Sequence, residues 1–259
     1  MHRAFEGERM SDELFSLRVV FVSTSAGTCD QFRLAAGAAP VPIDFIEADS
    51  AGTAAAVIGD EVDLALFDGA LGDGAIRHLA TAARECAKRP FTVLLSGAGT
   101  AARFETDALA GMPSTADEAI ALLSRCIRVR VPSRVLVVDD SPTMRSIVRK
   151  ILAATRFPLE ITEAERGPQA IKLARLSRFH VAFVDQHLPG LTGLETIAAM
   201  AREHRHLTFA LMTSTKDEAV ETRANALGVA FLKKPFFLAD TETVLRRSCG
   251  LRALNPQRI

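Results

Sequence analysis

The chain alternates short apolar runs with amphipathic stretches, and it does so twice over. In the second half VLVV (135–138) precedes PTMRSIVRKILAAT, where Met144, Ile147, Val148, Ile151 and Leu152 fall at helical spacing. LEIT (159–162) precedes GPQAIKLARL, and HVAFVD (180–185) precedes LETIAAMAREH. TFALMT (208–213) precedes KDEAVETRANAL, and VAFL (229–232) precedes KKPFFLADTETVLRRS. Strands apolar along their whole length need cover on both faces, and intervening helices make neighbouring strands parallel. The pattern predicts an α/β fold with a parallel five-stranded sheet. The first half repeats it with LRVVFV, IDFIEA, DLALFD, FTVLL and a weaker DALA.

Three pairs of strand-end residues fix the register between the halves. Asp68 and Asp185 stand 117 positions apart, Ser96 and Thr213 likewise 117, and Ser23 and Asp139 116. This predicts two homologous domains, 17–128 and 134–250, with a linker at 129–133 and tails at 1–16 and 251–259. So short a linker implies packed rather than freely tethered domains.

Lys+Arg and Asp+Glu each number 31, giving zero net charge. That argues against a general nucleic-acid or membrane-surface binder, because excess cations supply sequence-independent phosphate affinity. No apolar run reaches the roughly 18–20 residues needed to span a bilayer. The opening MHRAFEGERMSDELFS has no apolar signal core and reads as a loose tail, with Met10 as an alternative start. Cys29, Cys86, Cys126 and Cys249 show no C-x-x-C spacing and read as reduced structural thiols of a cytoplasmic protein. His180, His204 and His206 lack metal-ligand spacing and read as surface or strand-end residues.

In an open parallel sheet, functional groups gather beyond the carboxyl ends of the strands. In the second half those ends carry Asp139 and Asp140, then Asp185, Thr213, and Lys233–Lys234 before Pro235. Three converging carboxylates are costly unless a cation neutralises them. Hard oxygen donors suit Mg²⁺, with Mn²⁺ as the alternative ion, better than zinc. A hydroxyl and an ammonium opposite such an ion complete a cradle for a phosphoryl group.

VVDDSPTMRSIVRKIL, FVDQHLPGLTG, LMTS and KKPF, in that order, resemble a response-regulator receiver domain of the chemotaxis type across residues 134–248. The resemblance implies a flavodoxin-like (βα)5 doubly wound domain with strand order 2-1-3-4-5. It implies that Asp185 accepts a phosphoryl group from a sensor histidine kinase or a histidine phosphotransfer protein. Asp139, Asp140, Asp185 and the backbone carbonyl of His187 would bind the metal. Thr213 would hydrogen-bond the phosphoryl group, Lys234 would pair with it, and Phe231 would be the switch aromatic. A cis Lys234–Pro235 bond is implied as well. His187 and Thr215, each two residues beyond a site residue, should border the path of attacking water. Gly193 and Pro189 shape the loop after Asp185.

The first half has lost much of this set. Ser23 and Thr24 replace the two strand-end acids, and Met112 replaces Lys234, whereas Asp68 and Ser96 remain. Asp73 is a substitute carboxylate only in a loop. Thr213 to Lys234 spans 21 positions but Ser96 to Met112 only 16, so the fourth helix and fifth strand are shortened. The first half thus reads as a degenerate pseudo-receiver that binds a protein.

Beyond the last helix the sequence shows about ten residues and no output module, so the expectation is a switch and not a conventional enzyme. A phosphorylation-switched adaptor with a downstream protein target comes first. A phosphorelay shuttle or phosphate sink is the alternative. A haloacid-dehalogenase-like phosphohydrolase is remote, because it needs its two acids two positions apart on the first strand. Dimerisation through the Ala239–Ser248 face stays open.

Overall fold

The computed structural model describes residues 16–96, 105–215 and 217–252. Most of the expected N-terminal tail, the last seven residues and the shortened region at 97–104 lie outside the described residues. The first half comprises β1 (Leu17–Val22), α1 (Ala26–Gly37), β2 (Ile43–Ala48), α2 (Ala51–Val57), β3 (Leu64–Asp68), α3 (Asp73–Glu85), β4 (Phe91–Ser96), β5 (Ala108–Gly111) and α4 (Ala116–Ile127). The second half comprises β6 (Ser133–Val138), α5 (Pro142–Ala153), β7 (Leu159–Ala164), α6 (Gly167–Leu176), β8 (Val181–Asp185), α7 (Gly193–Glu203), β9 (Thr208–Thr213), α8 (Glu218–Ala226), β10 (Ala230–Lys233) and α9 (Leu238–Ser248).

Each half forms its own parallel five-stranded sheet, ordered β2-β1-β3-β4-β5 and β7-β6-β8-β9-β10. Both are flavodoxin-like, as the receiver resemblance implies for the second half and the repeat for the first. The central strands β3, β4 and β8 are buried at every position, whereas the edge strands β2, β5, β7 and β10 carry exposed residues. Strand ends therefore cluster where the sheet can present them. The helices after β6 and β8 start on side-chain caps. Ser141 accepts from Met144 N with Pro142 in the first turn, and Thr192 and Glu195 form a reciprocal capping box. These caps set where each loop leaves its strand.

One apolar cluster runs through both halves. It joins Phe32, Leu123 and Cys126 of the first half to Leu152, Phe157, Leu245 and Leu251 of the second. Polar contacts reinforce it at the N-terminal ends of the first sheet's strands. Arg156 donates to the Asp107 carboxylate at 2.7 Å and to the carbonyls of Arg89 and Pro90, and its guanidinium lies over the Phe91 ring. Asp107 also accepts from Arg89 and from the backbone and hydroxyl of Thr92. Arg130, between α4 and β6, donates to the carbonyls of Asp63 and Arg89, and Val129 beside it is fully buried. Past α9, Leu251 is buried and Arg252 exchanges two backbone hydrogen bonds with Leu109 of β5.

Candidate functional site

The carboxyl ends of β6, β8, β9 and β10 bring the predicted residues together. Lys234 reaches inward and its ammonium bridges two buried carboxylates, 2.8 Å from Asp139 Oδ2 and 2.6 Å from Asp185 Oδ1. Asp139 is 1% exposed and Asp185 5%, so the lysine is their compensating charge. Burial pulls the Lys234 ammonium towards a lower pKa, but its hydrogen bonds to Asp139 and Asp185 outweigh that, and the net shift is upward. The lysine stays charged. Its peptide bond to Pro235 is cis, and its backbone N–H donates to the Thr213 carbonyl.

The remaining carboxylate oxygens are oriented by the backbone. Asp139 Oδ1 accepts from Ser141 N at 2.9 Å, and Asp185 Oδ2 from His187 N at 2.8 Å. Thr213 is buried at the end of β9, and its hydroxyl lies 3.2 Å from both the Thr215 backbone nitrogen and the Thr215 hydroxyl. The Thr215 hydroxyl also meets His187 Nε2 at 3.2 Å, so the two exposed residues join across the mouth of the site. Phe231 is half-buried and lines a cavity of about 210 Å³ between α8, β10 and α9.

Asp140 differs from its neighbours. It is exposed, and among the described residues no three His, Cys, Asp or Glu side chains stand close enough to hold a metal ion as placed. The donors are nevertheless of the right kind. Asp139, Asp140 and Asp185 are hard carboxylate oxygens, with an ammonium occupying the position of positive charge between two of them. These residues fit a divalent ion such as Mg²⁺ once Asp140 turns inward.

Arg145 of α5 was not singled out by sequence reasoning. It is buried, pairs with Glu163 and Glu165, and donates to the carbonyls of Asp139 and Asp140. It thus clamps the turn that carries both acids. The available signal was a cation within the apolar helix PTMRSIVRKIL, opposite two glutamates of the adjoining strand segment. Gly193 is also tightly placed, since a Cβ there would stand 2.3 Å from the Asp185 carbonyl oxygen.

The first half ends its strands differently. The Ser23 hydroxyl donates to Asp68 Oδ2 at 2.6 Å, and Ala70 N donates to Oδ1 at 2.8 Å. Asp68 is thus held by neutral donors. Thr24 is exposed, Ser96 is buried, and Met112 packs against the shared apolar cluster. Asp73 lies exposed in the first turn of α3.

The profile of the response regulator receiver domain matches residues 135–246. The chemotaxis protein CheY of Pseudomonas aeruginosa is 30% identical over 107 residues, which cover 40% of this chain and 85% of CheY. The response regulator GacA of Pseudomonas viridiflava is 29% identical over 126 residues, covering 48% of this chain and 59% of GacA. Among solved structures, chemotaxis protein CheY4 of Vibrio cholerae is 27% identical with a TM-score of 0.41, covering 46% of this chain and 99% of CheY4. The chain spans 59% of the length of the GacA relative it matches.

Proposed function

The chain belongs to the response-regulator receiver family, and from that premise we propose that residues 134–250 form a phosphorylatable receiver whose acceptor is Asp185. The bridge from Lys234 to Asp139 and Asp185 carries the reading. A buried ammonium held against two carboxylates at strand ends is poised to meet a transferred phosphoryl group. An oxygen of Asp185 attacks phosphorus, the bond from phosphorus to the donor imidazole breaks, and that imidazole nitrogen takes up a proton. The donor is a sensor histidine kinase or a histidine phosphotransfer protein. Lys234 then turns from Asp185 to the new phosphoryl oxygens, and Thr213 donates to them. Phe231 follows the movement of Thr213 and changes which protein the second half binds.

Asp139, Asp140, Asp185 and the His187 carbonyl would hold Mg²⁺ or Mn²⁺, which spreads the phosphoryl charge. Arg145 keeps the two acids in place through their own carbonyls.

Residues 17–128 are a pseudo-receiver in this reading. Asp68 lies against Ser23 instead of an ammonium, so a phosphoryl group there would meet no lysine counter-charge. This half serves as an interaction surface. The shared apolar cluster makes deletion of residues 1–130 an unsuitable test, because it would strip the second half of part of its cover. Labelling from a phosphorylated histidine kinase tests the whole proposal. Asp185→Asn should abolish the alkali- and hydroxylamine-labile label on the intact chain, and Asp68→Asn should leave it unchanged. Label persisting in Asp185→Asn sinks the assignment. Rapid return of phosphate to a phosphotransfer protein would identify a shuttle instead of a switch.

A further inference from the structure

Asp139 and Asp140 stand side by side, yet their carboxylates are held in different ways. The Asp139 carboxylate is fixed twice, by the Lys234 ammonium at 2.8 Å and by the Ser141 N–H at 2.9 Å. The Asp140 carboxylate is exposed, and among the described residues no hydrogen bond or ion pair holds it. Its aim is therefore set by the backbone from which it springs. Two main-chain bonds secure the ends of that turn. The Asp139 N–H donates to the Ala164 carbonyl at 3.1 Å, and the Arg145 N–H donates to the Ser141 carbonyl at 3.0 Å.

The middle of the turn is gripped by one side chain. Arg145 Nη1 donates to the Asp139 carbonyl at 2.8 Å and lies 3.4 Å from the Asp140 carbonyl. The rest of the buried guanidinium is anchored to the end of the neighbouring strand, Nε to Glu163 at 2.9 Å and Nη2 to Glu165 at 3.0 Å. Glu163 and Glu165 flank Ala164, so the strand end that accepts the Asp139 N–H also anchors the arginine. A planar guanidinium with its donors in a fixed fork passes that anchor on as an orientation, which a point-like ammonium could not do. Tying α5 to β7 needs only the two glutamates. The nitrogen left over goes to the carbonyls of the two acids themselves.

We propose that Arg145 is a positioning residue for the divalent ion, fixing the backbone pose from which the Asp140 carboxylate turns in beside Asp139 and Asp185. The inference rests on the receiver reading above. It goes further by assigning ion affinity to a side chain that touches neither the ion nor the phosphoryl group. Losing a partner that orients metal ligands from behind typically costs about 10–100-fold in metal affinity. Charge alone predicts the opposite sign. Removing Arg145 takes a positive charge away from the neighbourhood of a dication and leaves Glu163 and Glu165 unneutralised by it, so electrostatics would tighten ion binding. Lost positioning loosens it, and the direction of the change separates the two.

The test titrates Mn²⁺ against the full chain and counts the free ion by its EPR signal. Native protein, Asp140→Asn, Arg145→Met and Arg145→Lys are compared, each where circular dichroism shows it folded. Arg145→Met should weaken Mn²⁺ binding about tenfold or more. Arg145→Lys keeps the charge without the fork, so it should weaken binding as well, and it carries the test should the methionine variant not fold. With acetyl phosphate as donor, the Mg²⁺ concentration for half-maximal acceptance should rise by the same factor in Arg145→Met, with a far smaller change in the maximal rate. Unchanged or tighter Mn²⁺ binding in Arg145→Met, native binding in Arg145→Lys, or a lower maximal rate at an unchanged half-saturating concentration would each overturn the proposal. Asp140→Asn tells the two readings apart. If it binds Mn²⁺ as the native chain does, the metal site itself falls and this inference with it. If it loses the ion while Arg145→Met keeps it, only the role of Arg145 falls.

Discussion

Lys234→Met gives the second half the residue that the first half carries at the equivalent place. Asp139 Oδ2 and Asp185 Oδ1 lie 2.8 and 2.6 Å from one nitrogen, so they are at most about 5.4 Å apart. Both carboxylates are almost completely buried. At an effective dielectric constant of about 20, two unit charges at that separation repel by about 3 kcal/mol. Breaking a buried pair by removing one partner commonly costs about 3–5 kcal/mol, which brackets the same figure. The variant should therefore lose about 3 kcal/mol of stability at neutral pH in a chelator. Saturating Mg²⁺ should return most of that loss, because the ion takes over the counter-charge. Phosphoryl acceptance from acetyl phosphate should stay impaired by about 10²–10³ even with Mg²⁺, since the ammonium that meets the transferred oxygens is absent. Urea unfolding followed by circular dichroism suits this chain, which has neither Trp nor Tyr. An equal loss with and without Mg²⁺ would show that the lysine acts through packing, and the electrostatic account would fall.

Asp107→Ala should cost about 3–5 kcal/mol, because it leaves Arg156 and Arg89 without their buried acceptor. Thiol labelling reads the same event. Burial pushes the Cys126 thiol up to about 12 and raises Cys249 as well, so both should resist labelling in the native chain and react faster in the variant. Unchanged labelling would mean that Asp107 does not hold the halves together. His187→Asn and Thr215→Ala remove the pair that closes the mouth of the site, and each should change the decay half-life of phosphorylated Asp185. Equal half-lives would refute that role. Gly193→Ala should destabilise by about 1–3 kcal/mol or more, because its methyl group would press on the Asp185 carbonyl. A neutral result in chemical denaturation would mean the loop yields freely.

The parallel strands and the strand-end acids could be read in advance for a physical reason, whereas the sheet order came with the family resemblance. A strand covered on both faces must be apolar throughout, so its first polar residue marks the rim where chemistry can occur. Asp139, Asp185 and Thr213 were visible on that ground alone. What stayed hidden depends on partners distant in the chain. Arg145 clamps the acid turn through carbonyls, which leave no trace in residue type. Arg156 and Asp107 are 49 positions apart, in connecting segments of different halves. Leu251 and Arg252 looked like the start of a tail, yet their apolar contact and backbone pairing to β5 are long-range.

The two strand-end pockets separate what the fold needs from what the chemistry needs. In both halves the first and third strands are almost wholly buried along their length, and that burial is indifferent to the residue standing just beyond the rim. Replacing Asp139 by its counterpart Ser23 removes one negative charge, and replacing Lys234 by Met112 removes one positive charge. Losing Lys234 alone would leave two buried carboxylates without a counter-charge, at a cost of several kcal/mol, whereas losing Asp139 alone leaves Asp185 and Lys234 as a matched pair. With both gone, a single carboxylate is left. The remaining carboxylate, Asp68, then needs only neutral donors, and the Ser23 hydroxyl and Ala70 N–H supply them. A pocket of this kind can therefore lose its lysine without loosening its sheet, provided the first-strand acid does not outlast the base. Asp68 has a structural duty of its own: it ends a fully buried strand, accepts the Ser23 hydroxyl, and accepts the Ala70 N–H of the turn that follows.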